Sequence, residues 1–179
     1  NMKILAFAGS NSSKSINHQL VMYAAEQIQG HQVMALKLND FEIPVYCIDT
    51  EQEDGFPEGV ELLMEIIKDS DGIVISLAEH NGNVTAFFKS IMDWLSRLDR
   101  SFLKGKQIFL LSTSPGKSAG ANALQLTKMS FARYKGNIAA AYSMPAFAGN
   151  FSMNEITDPE EKDKFTVELQ KFLAALEEK

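Results

Sequence analysis

Short apolar runs alternate along this chain with stretches in which apolar residues recur at helical spacing. The apolar runs predict five strands, over residues 3–8, 32–38, 72–77, 107–112 and 137–142. The helical spacing predicts five helices, over residues 15–29, 57–70, 84–98, 119–134 and 159–179. Because strands and helices alternate throughout, we expect one parallel, doubly wound α/β sheet with right-handed crossovers and helices on both faces.

The length of the chain favours one domain. Its 179 residues, of which 45% are hydrophobic, suffice for one core and are few for two, so we predict a single domain over residues 2–179, without Asn1. Residues 38–55 form a longer, acidic connection, which we expect to be irregular and to lie as a flap beside the site. Ligands of such sheets bind beyond the carboxyl ends of the strands, which directs attention to loops 9–17, 78–83 and 113–120.

Charge and cysteine content argue against several classes of function. A formal net charge of -6 disfavours nucleic acid and anionic membranes as partners. The apolar runs are far shorter than the roughly 20 residues of a membrane span. Since no basic segment followed by an apolar region opens the chain, we expect a cytoplasmic protein. Cys47 is the single cysteine and the three histidines lie far apart, so we predict neither a disulfide nor a metal site.

Small polar side chains crowd the first loop, at the start of a predicted helix. Behind Gly9, small polar side chains are supplied by Ser10, Ser12, Ser13, Ser15 and Asn17. The first-turn N–H groups and the positive end of a helix dipole favour an anion there. Two serines would suffice for an ordinary capped helix, so this density favours a phosphate held mainly by neutral donors, with Lys14 at the rim. The loop lacks the second glycine of a P-loop and the further glycines of G-x-G-x-x-G.

Three motifs together carry a family resemblance. The first loop, GSNSSKSIN, resembles the G-S-x-R-x-x-S-x-N segment of the NAD(P)H-dependent FMN reductase family. The second, AEHNG, is similar to that family's P-E-Y-N-G segment, and the FKSIMDWL that follows resembles its L-K-N-A-[IL]-D-W-L helix. The third, STSPGKSAG, resembles S-x-S-x-G-x-x-G-G. The resemblance implies a flavodoxin-like three-layer sandwich whose five-stranded parallel sheet has the order 2-1-3-4-5.

The resemblance also implies a function. It implies an enzyme that binds FMN, takes hydride from NADPH or NADH, and passes the electrons to a small acceptor such as a flavin, a quinone, an azo compound or a metal ion. The cofactor-binding residues that it implies are Gly9, Ser10, Ser12, Ser15, Ile16, Asn17, Ala78, Glu79, His80, Asn81, Gly82, Ser112, Thr113, Ser114 and Gly116. Because the flavin supplies the bond chemistry of hydride transfer, we expect no essential protein acid. We expect Glu79 to order its loop through hydrogen bonds.

Within the three loops, four positions depart from the family pattern. Ser12 stands in place of an arginine, which removes a charged phosphate ligand and predicts weaker retention of FMN. Ala78 and His80 replace proline and tyrosine, and Ala119 replaces a glycine. The first two changes bear on substrate choice. For His80, three interpretations stay open: a proton donor, a ring stacked on the flavin, or an exposed loop residue.

Two other functions remain as alternatives. A one-electron carrier of the flavodoxin type would suit an acidic chain, but the T-x-T-G-x-T loop of those proteins is absent here. A family member that has lost its flavin and serves as a non-catalytic binding subunit would account for the four departures.

The helix after the second loop has an unusually wide apolar face. Phe87, Trp94 and Leu98 extend it beyond one stripe, which predicts that two surfaces are covered. One is the sheet. For the other we favour a partner subunit, in a homodimer or tetramer as the resemblance implies, over a long loop of the same chain.

Overall fold

The computed structural model describes residues 1–178, so Lys179, which ends the predicted domain and last helix, lies outside the described residues. Within them the α-helices are α1 (Ile16–Gln27), α2 (Ile48–Asp54), α3 (Glu58–Lys68), α4 (Ala86–Leu98), α5 (Ala121–Arg133), α6 (Phe147–Asn150) and α7 (Pro159–Glu177). The strands are β1 (Lys3–Ala8), β2 (Gln32–Ala35), β3 (Gly72–Leu77), β4 (Glu79–His80), β5 (Asn83–Val84), β6 (Gln107–Thr113), β7 (Asn137–Met144), β8 (Phe151–Ser152) and β9 (Glu155–Ile156).

Five of these strands form one parallel sheet, in the order β2-β1-β3-β6-β7. Numbered among themselves, they have the order 2-1-3-4-5, and the predicted flavodoxin-like fold class is confirmed. The other strands pair as two short antiparallel hairpins, β4–β5 and β8–β9. The direction of winding reverses between β1 and β3, so the carboxyl ends of these strands lie side by side at the switch point.

The sheet has a hydrophobic core on each face. Along β3, Ile73, Ile75 and Leu77 pack with residues of α3, α4 and α5, whereas Val74 packs with residues of α1 and α7. Side chains alternate between the faces of a strand, and because both faces are covered, β3 is apolar almost throughout. None of the helices in residues 1–178 has the length and apolar character that crossing a membrane requires.

The connection after β2 is more ordered than the sequence suggests. The predicted strand over residues 32–38 ends at Ala35, and Leu38–Phe41 forms a 3₁₀-helix. The prediction that residues 38–55 are irregular was wrong, because α2 occupies Ile48–Asp54. Two hydrogen bonds of 2.8 Å join the Arg97 guanidinium on α4 to the Glu51 carboxylate on α2. This ion pair fixes the connection to the body of the domain.

Residues 38–56, which we call the strap, cover the second apolar face of α4. The Trp94 indole is fully buried, and its Nε1–H donates a 2.8 Å hydrogen bond to the Pro44 carbonyl. The rings of Tyr46 and Phe56 meet it edge-on, with centroids at 4.9 and 5.9 Å. A loop of the same chain therefore covers this face. At Trp94, a loop of the same chain takes the place that we expected a partner subunit to occupy.

Candidate functional site

One buried side chain ties together the three loops at the carboxyl edge of the sheet. Asn17 Oδ1 accepts hydrogen bonds from Ser76 Oγ at 2.7 Å and from the Thr113 N–H at 3.1 Å. Asn17 Nδ2 donates to the Thr113 carbonyl at 3.2 Å. The start of α1 is thereby attached to the ends of β3 and β6. Both lone pairs of the Asn17 oxygen are engaged, so this atom acts within the protein.

The serines of the first loop hold its backbone in shape. Ser10 Oγ accepts from the Ser12 N–H, and Ser12 Oγ accepts from the Lys14 N–H, each at 3.2 Å. A hydroxyl that accepts through its oxygen keeps its own hydrogen to donate. Ser12 and Ser13 are exposed and Ser10 is half-buried. The loop thus offers hydroxyl donors to an anion without giving up its internal hydrogen bonds.

The first turn of α1 suits an anion. Ser15 is its N-cap, with Oγ accepting the His18 N–H at 3.0 Å, and Ile16 is the first helical residue. The first turn contains no acidic residue. Backbone N–H groups at the start of a helix have no acceptors within the helix, and the dipole makes this end positive. The α1 N-terminus therefore has donors for an anion and no carboxylate within its own first turn.

Gly9 lies where packing is tight, at the start of the first loop. A Cβ atom on Gly9 would lie 3.2 Å from the Phe88 ring and 3.3 Å from a Leu77 methyl group. The Thr85 hydroxyl also donates to the Gly9 carbonyl at 2.9 Å. The first loop is thus held against the start of α4, a reason for the glycine that the sequence pattern did not show.

The second loop is a tight hairpin. Glu79–His80 pairs antiparallel with Asn83–Val84, and the two turn residues, Asn81 and Gly82, have φ of 54° and 74°. Positive φ at both turn positions is what a two-residue type I′ hairpin needs, and Asn-Gly adopts it most readily. The N-G of the motif is thus explained by backbone geometry.

Glu79 joins this hairpin to the start of α5. Its Oε1 accepts the Ala123 N–H at 2.8 Å. The N-cap of α5 is Gly120, which has no side chain to cap with, so Glu79 supplies the acceptor from a different loop. The expectation that Glu79 orders its loop agrees with this contact. Ala78 is half-buried, while His80 and the two turn residues are exposed.

The third loop begins with two buried hydroxyls. Ser112 Oγ donates to the Ala119 carbonyl at 2.7 Å and shares a 2.6 Å hydrogen bond with Ser143 Oγ. Thr113 Oγ1 donates to the Met144 carbonyl at 2.7 Å. Both side chains are almost completely inaccessible. The structure therefore gives them positions within the protein and leaves Ser114 and Gly116 nearer the surface.

The rest of this loop is held by the chain after β7. The N–H groups of Phe147 and Ala146 donate to the carbonyls of Ser114 and Gly116, at 3.1 and 2.9 Å. Gly116 itself is exposed. Ala119, at the position where the family pattern has glycine, has a φ of 59°. This is the left-handed region that glycine enters most easily, so the backbone retains the shape that the missing glycine would favour.

A small cavity beside the first loop brings in residues that the sequence analysis did not select. It has a volume of about 150 Å³, and its polar lining is formed by Ser10, Ser12, Ser13, His18, Lys37, Asn39 and Asp40. Burial, and then the charge of Lys37, lower the pKa of His18 below the usual 6.5. Lys37 lies in the connection after β2, and no local motif marks it as part of the site.

Known proteins resemble the chain over most of its length. The family described as NADPH-dependent FMN reductase matches residues 2–150. The quinone reductase of Escherichia coli strain K12 is 44% identical over 80 residues, which are 45% of this chain and 43% of that protein. The matched segment thus spans less than half the length of this relative. An uncharacterized protein of Mycoplasma pneumoniae, the MG342 homolog, is 29% identical over 155 residues, covering 83% of this chain and 91% of that one.

A solved structure shares the fold nearly from end to end. FerB, a flavoenzyme NAD(P)H:(acceptor) oxidoreductase from Paracoccus denitrificans, superposes with a TM-score of 0.80. The match covers 99% of this chain and 98% of that one, at 24% sequence identity. At this identity the likeness shows a common fold.

Proposed function

Because the chain belongs to the NADPH-dependent FMN reductase family, we propose that it is an oxidoreductase which binds FMN at the three loops and uses NADPH or NADH to reduce a small acceptor. One observation carries the proposal. The α1 N-terminus, with its serine loop and acid-free first turn, is tied by Asn17 to the ends of β3 and β6.

A comparison of three helix starts at this edge supports α1 as the phosphate site. At α5, Glu79 already bonds the Ala123 N–H with a carboxylate, which would repel a phosphate. At α4, Thr85 is buried, caps Phe88 and donates to Gly9. Of these three, α1 combines several accessible hydroxyls, those of Ser10, Ser12 and Ser13, with a first turn to which no carboxylate is bonded. A phosphate group fits the donor chemistry there.

The site residues then divide by role. We assign the phosphate to the hydroxyls of Ser10, Ser12 and Ser15 and to the first-turn backbone at Ile16. Asn17 is a positioning residue, since its oxygen is engaged by Ser76 and Thr113. Gly9 keeps the loop packed on Phe88.

The flavin ring is assigned to the second and third loops. Ala78, His80, Asn81 and Gly82 present the hairpin, which Glu79 fixes to α5. On the other side, Ser114 and Gly116 present the backbone of the third loop, while Ser112 and Thr113 support it from beneath. These residues contact the ring mainly through backbone groups.

Bound FMN would supply hydride acceptance and donation, which no protein side chain provides. The chain's own residues bind it, orient it and limit water around it. Glu79 is held at a helix start, so its carboxylate orders the hairpin. No side chain of this site is required to donate a proton in our proposal.

The acceptor follows from the same proposal. A relative carries the name quinone reductase, so a quinone is the first acceptor to test, with free flavin, an azo compound and an oxidised metal ion after it. The cytoplasmic location stays a prediction. So does the homodimer or tetramer, which now rests on the family resemblance, since the strap covers Trp94.

Steady-state oxidation of NADPH and NADH tests the activity. With FMN and a quinone present, we expect absorbance at 340 nm to fall at a rate proportional to protein concentration. The hydroxyl-deleted variant Ser15→Ala should require more FMN for half-maximal rate, and Ser96→Ala, on the far end of α4, serves as the matched control. FMN binding without nucleotide oxidation would instead indicate a one-electron carrier, and absence of both would indicate a non-catalytic subunit.

A further inference from the structure

The cavity beside the first loop has walls of different chemistry. Its lining combines the neutral donors Ser10, Ser12 and Ser13 with the ionisable side chains of His18, Lys37 and Asp40. A water molecule takes up about 30 Å³ of liquid, so a volume of about 150 Å³ accommodates a phosphate group. This cavity adjoins the loop to which we assign the FMN phosphate.

Backbone pairing puts Lys37 at this place. The Leu36 N–H donates to the Ala6 carbonyl at 3.0 Å, so the chain after β2 still runs beside β1. The next residue, Lys37, therefore lies next to the end of β1, where the serine loop begins. Strand pairing, and not the chance position of a flexible side chain, brings residue 37 to the cavity.

The charges around the cavity favour a contribution from Lys37. A phosphate monoester carries nearly two negative charges at neutral pH, and the serines offer it dipoles without charge. His18 is half-buried beside Lys37, and an uncharged imidazole leaves Lys37 as the full positive charge among the lining residues. Asp40 also lines the cavity, so Lys37 is the charge that attracts a phosphate there and Asp40 is the charge that opposes it.

We propose that Lys37 is a specificity-determining residue, which favours flavins that carry a terminal phosphate over flavins that lack one. The inference rests on the proposed function, because it concerns the same flavin site. Lys37 acts from the β2 side, outside the serine motif. It adds to the phosphate subsite a second positive charge, from the side opposite in sequence to Lys14 of the serine loop.

The test compares FMN with riboflavin, which has the same ring and no phosphate. We expect Lys37→Gln to weaken FMN binding about fivefold, the effect of an exposed charge pair at its upper range, and to leave riboflavin binding unchanged. Lys37→Arg should keep FMN affinity within about twofold of wild type, and Asp40→Asn should tighten FMN but not riboflavin. Lys104→Gln is the matched control, because Lys104 is exposed in the turn before β6, at the opposite edge of the sheet.

Riboflavin binding reports whether each variant is folded, so a folding failure is recognised directly. If the wild type binds FMN and Lys37→Gln binds it equally well, the role of Lys37 is overturned and the proposed function stands. Equal weakening of FMN and riboflavin in that variant also overturns it, since the effect would not concern the phosphate. If the wild type binds neither flavin, the proposed function fails and the inference fails with it.

Discussion

Asn17 and Thr113 are 96 residues apart in sequence and share two hydrogen bonds, from Asn17 Nδ2 to the Thr113 carbonyl and from the Thr113 N–H to Asn17 Oδ1. Both residues are buried. An amide side chain that pairs with a backbone N–H and C=O replaces one rung of a strand ladder. It extends the sheet's hydrogen bonding from β6 to the start of α1, which is the element that we assign to the phosphate.

Replacing Asn17 with alanine should destabilise the fold. It leaves the buried Ser76 hydroxyl and the Thr113 N–H without their acceptor, and each such loss costs about 1–3 kcal/mol. We expect a loss of about 3 kcal/mol in the free energy of unfolding, measured by urea denaturation. Asn11→Ala, at an exposed position of the same loop, is the control and should change stability little. An Asn17→Ala protein as stable as wild type would refute the proposal that Asn17 attaches α1 to β3 and β6.

Two substitutions of Glu79 distinguish a role in ordering the hairpin from a role in acid catalysis. Glu79→Gln keeps an oxygen for the Ala123 N–H, so we expect a loss of about 0.5 kcal/mol from the weaker charge–dipole interaction, and a turnover number within about twofold of wild type. Glu79→Ala removes the acceptor and should cost about 1 kcal/mol. Thermal melts and NADPH oxidation measure the two effects. A large fall in turnover with Glu79→Gln would show that the carboxyl group takes part in the chemistry.

Trp94→Phe tests the attachment of the strap. The variant keeps an aromatic ring but loses the hydrogen bond to the Pro44 carbonyl, so we expect a loss of about 1 kcal/mol. Amide hydrogen exchange should become faster in the strap and remain unchanged in β3. Light scattering should give the same molar mass for wild type and variant. A change of oligomeric state would instead place this face at a subunit contact.

The titration of His18 should make stability depend on pH. Its pKa in the folded protein is lowered from 6.5, first by burial and then by Lys37. As pH falls through 6.5 toward the lowered value, the unfolded state takes up a proton before the folded state does, so folding stability decreases. The unfolding free energy of wild type minus that of His18→Gln should therefore be smaller at about pH 5 than at about pH 8.

The Lys37→Gln variant provides the companion measurement. Removing this positive charge should raise the pKa of His18 toward 6.5 in an NMR titration, without reaching it, because burial is the larger cause. His31 and His80 serve as internal controls in the same spectrum. An unchanged His18 titration would contradict the placement of Lys37 beside it.

Local patterns sufficed for much of this fold. The apolar run of β3 and the alternation with helices predicted the parallel sheet, because a strand that is buried on both faces is apolar at nearly every position. The Asn81-Gly82 pair likewise predicts a hairpin, because Asn-Gly readily adopts the positive φ values of a tight turn. The serine loop could be proposed as an anion site from sequence because its donors are neighbours along the chain.

The features that were missed depend on contacts between distant segments. Trp94 shows in the sequence that its face is covered, but not that Pro44 covers it. Asn17 belongs to the motif, yet its engagement with Thr113 becomes visible only when α1 meets β6. Lys37 enters the cavity through the pairing of two strands, so no spacing along the chain marks it.

Titration of FMN into the purified wild-type protein, followed by the visible absorbance of the flavin, tests the central claim most directly. We predict a saturable spectral change with one FMN bound per chain, and bleaching of the bound flavin when NADPH is added without oxygen. If the spectrum remains that of free FMN even when protein and FMN are both in the millimolar range, the account is contradicted.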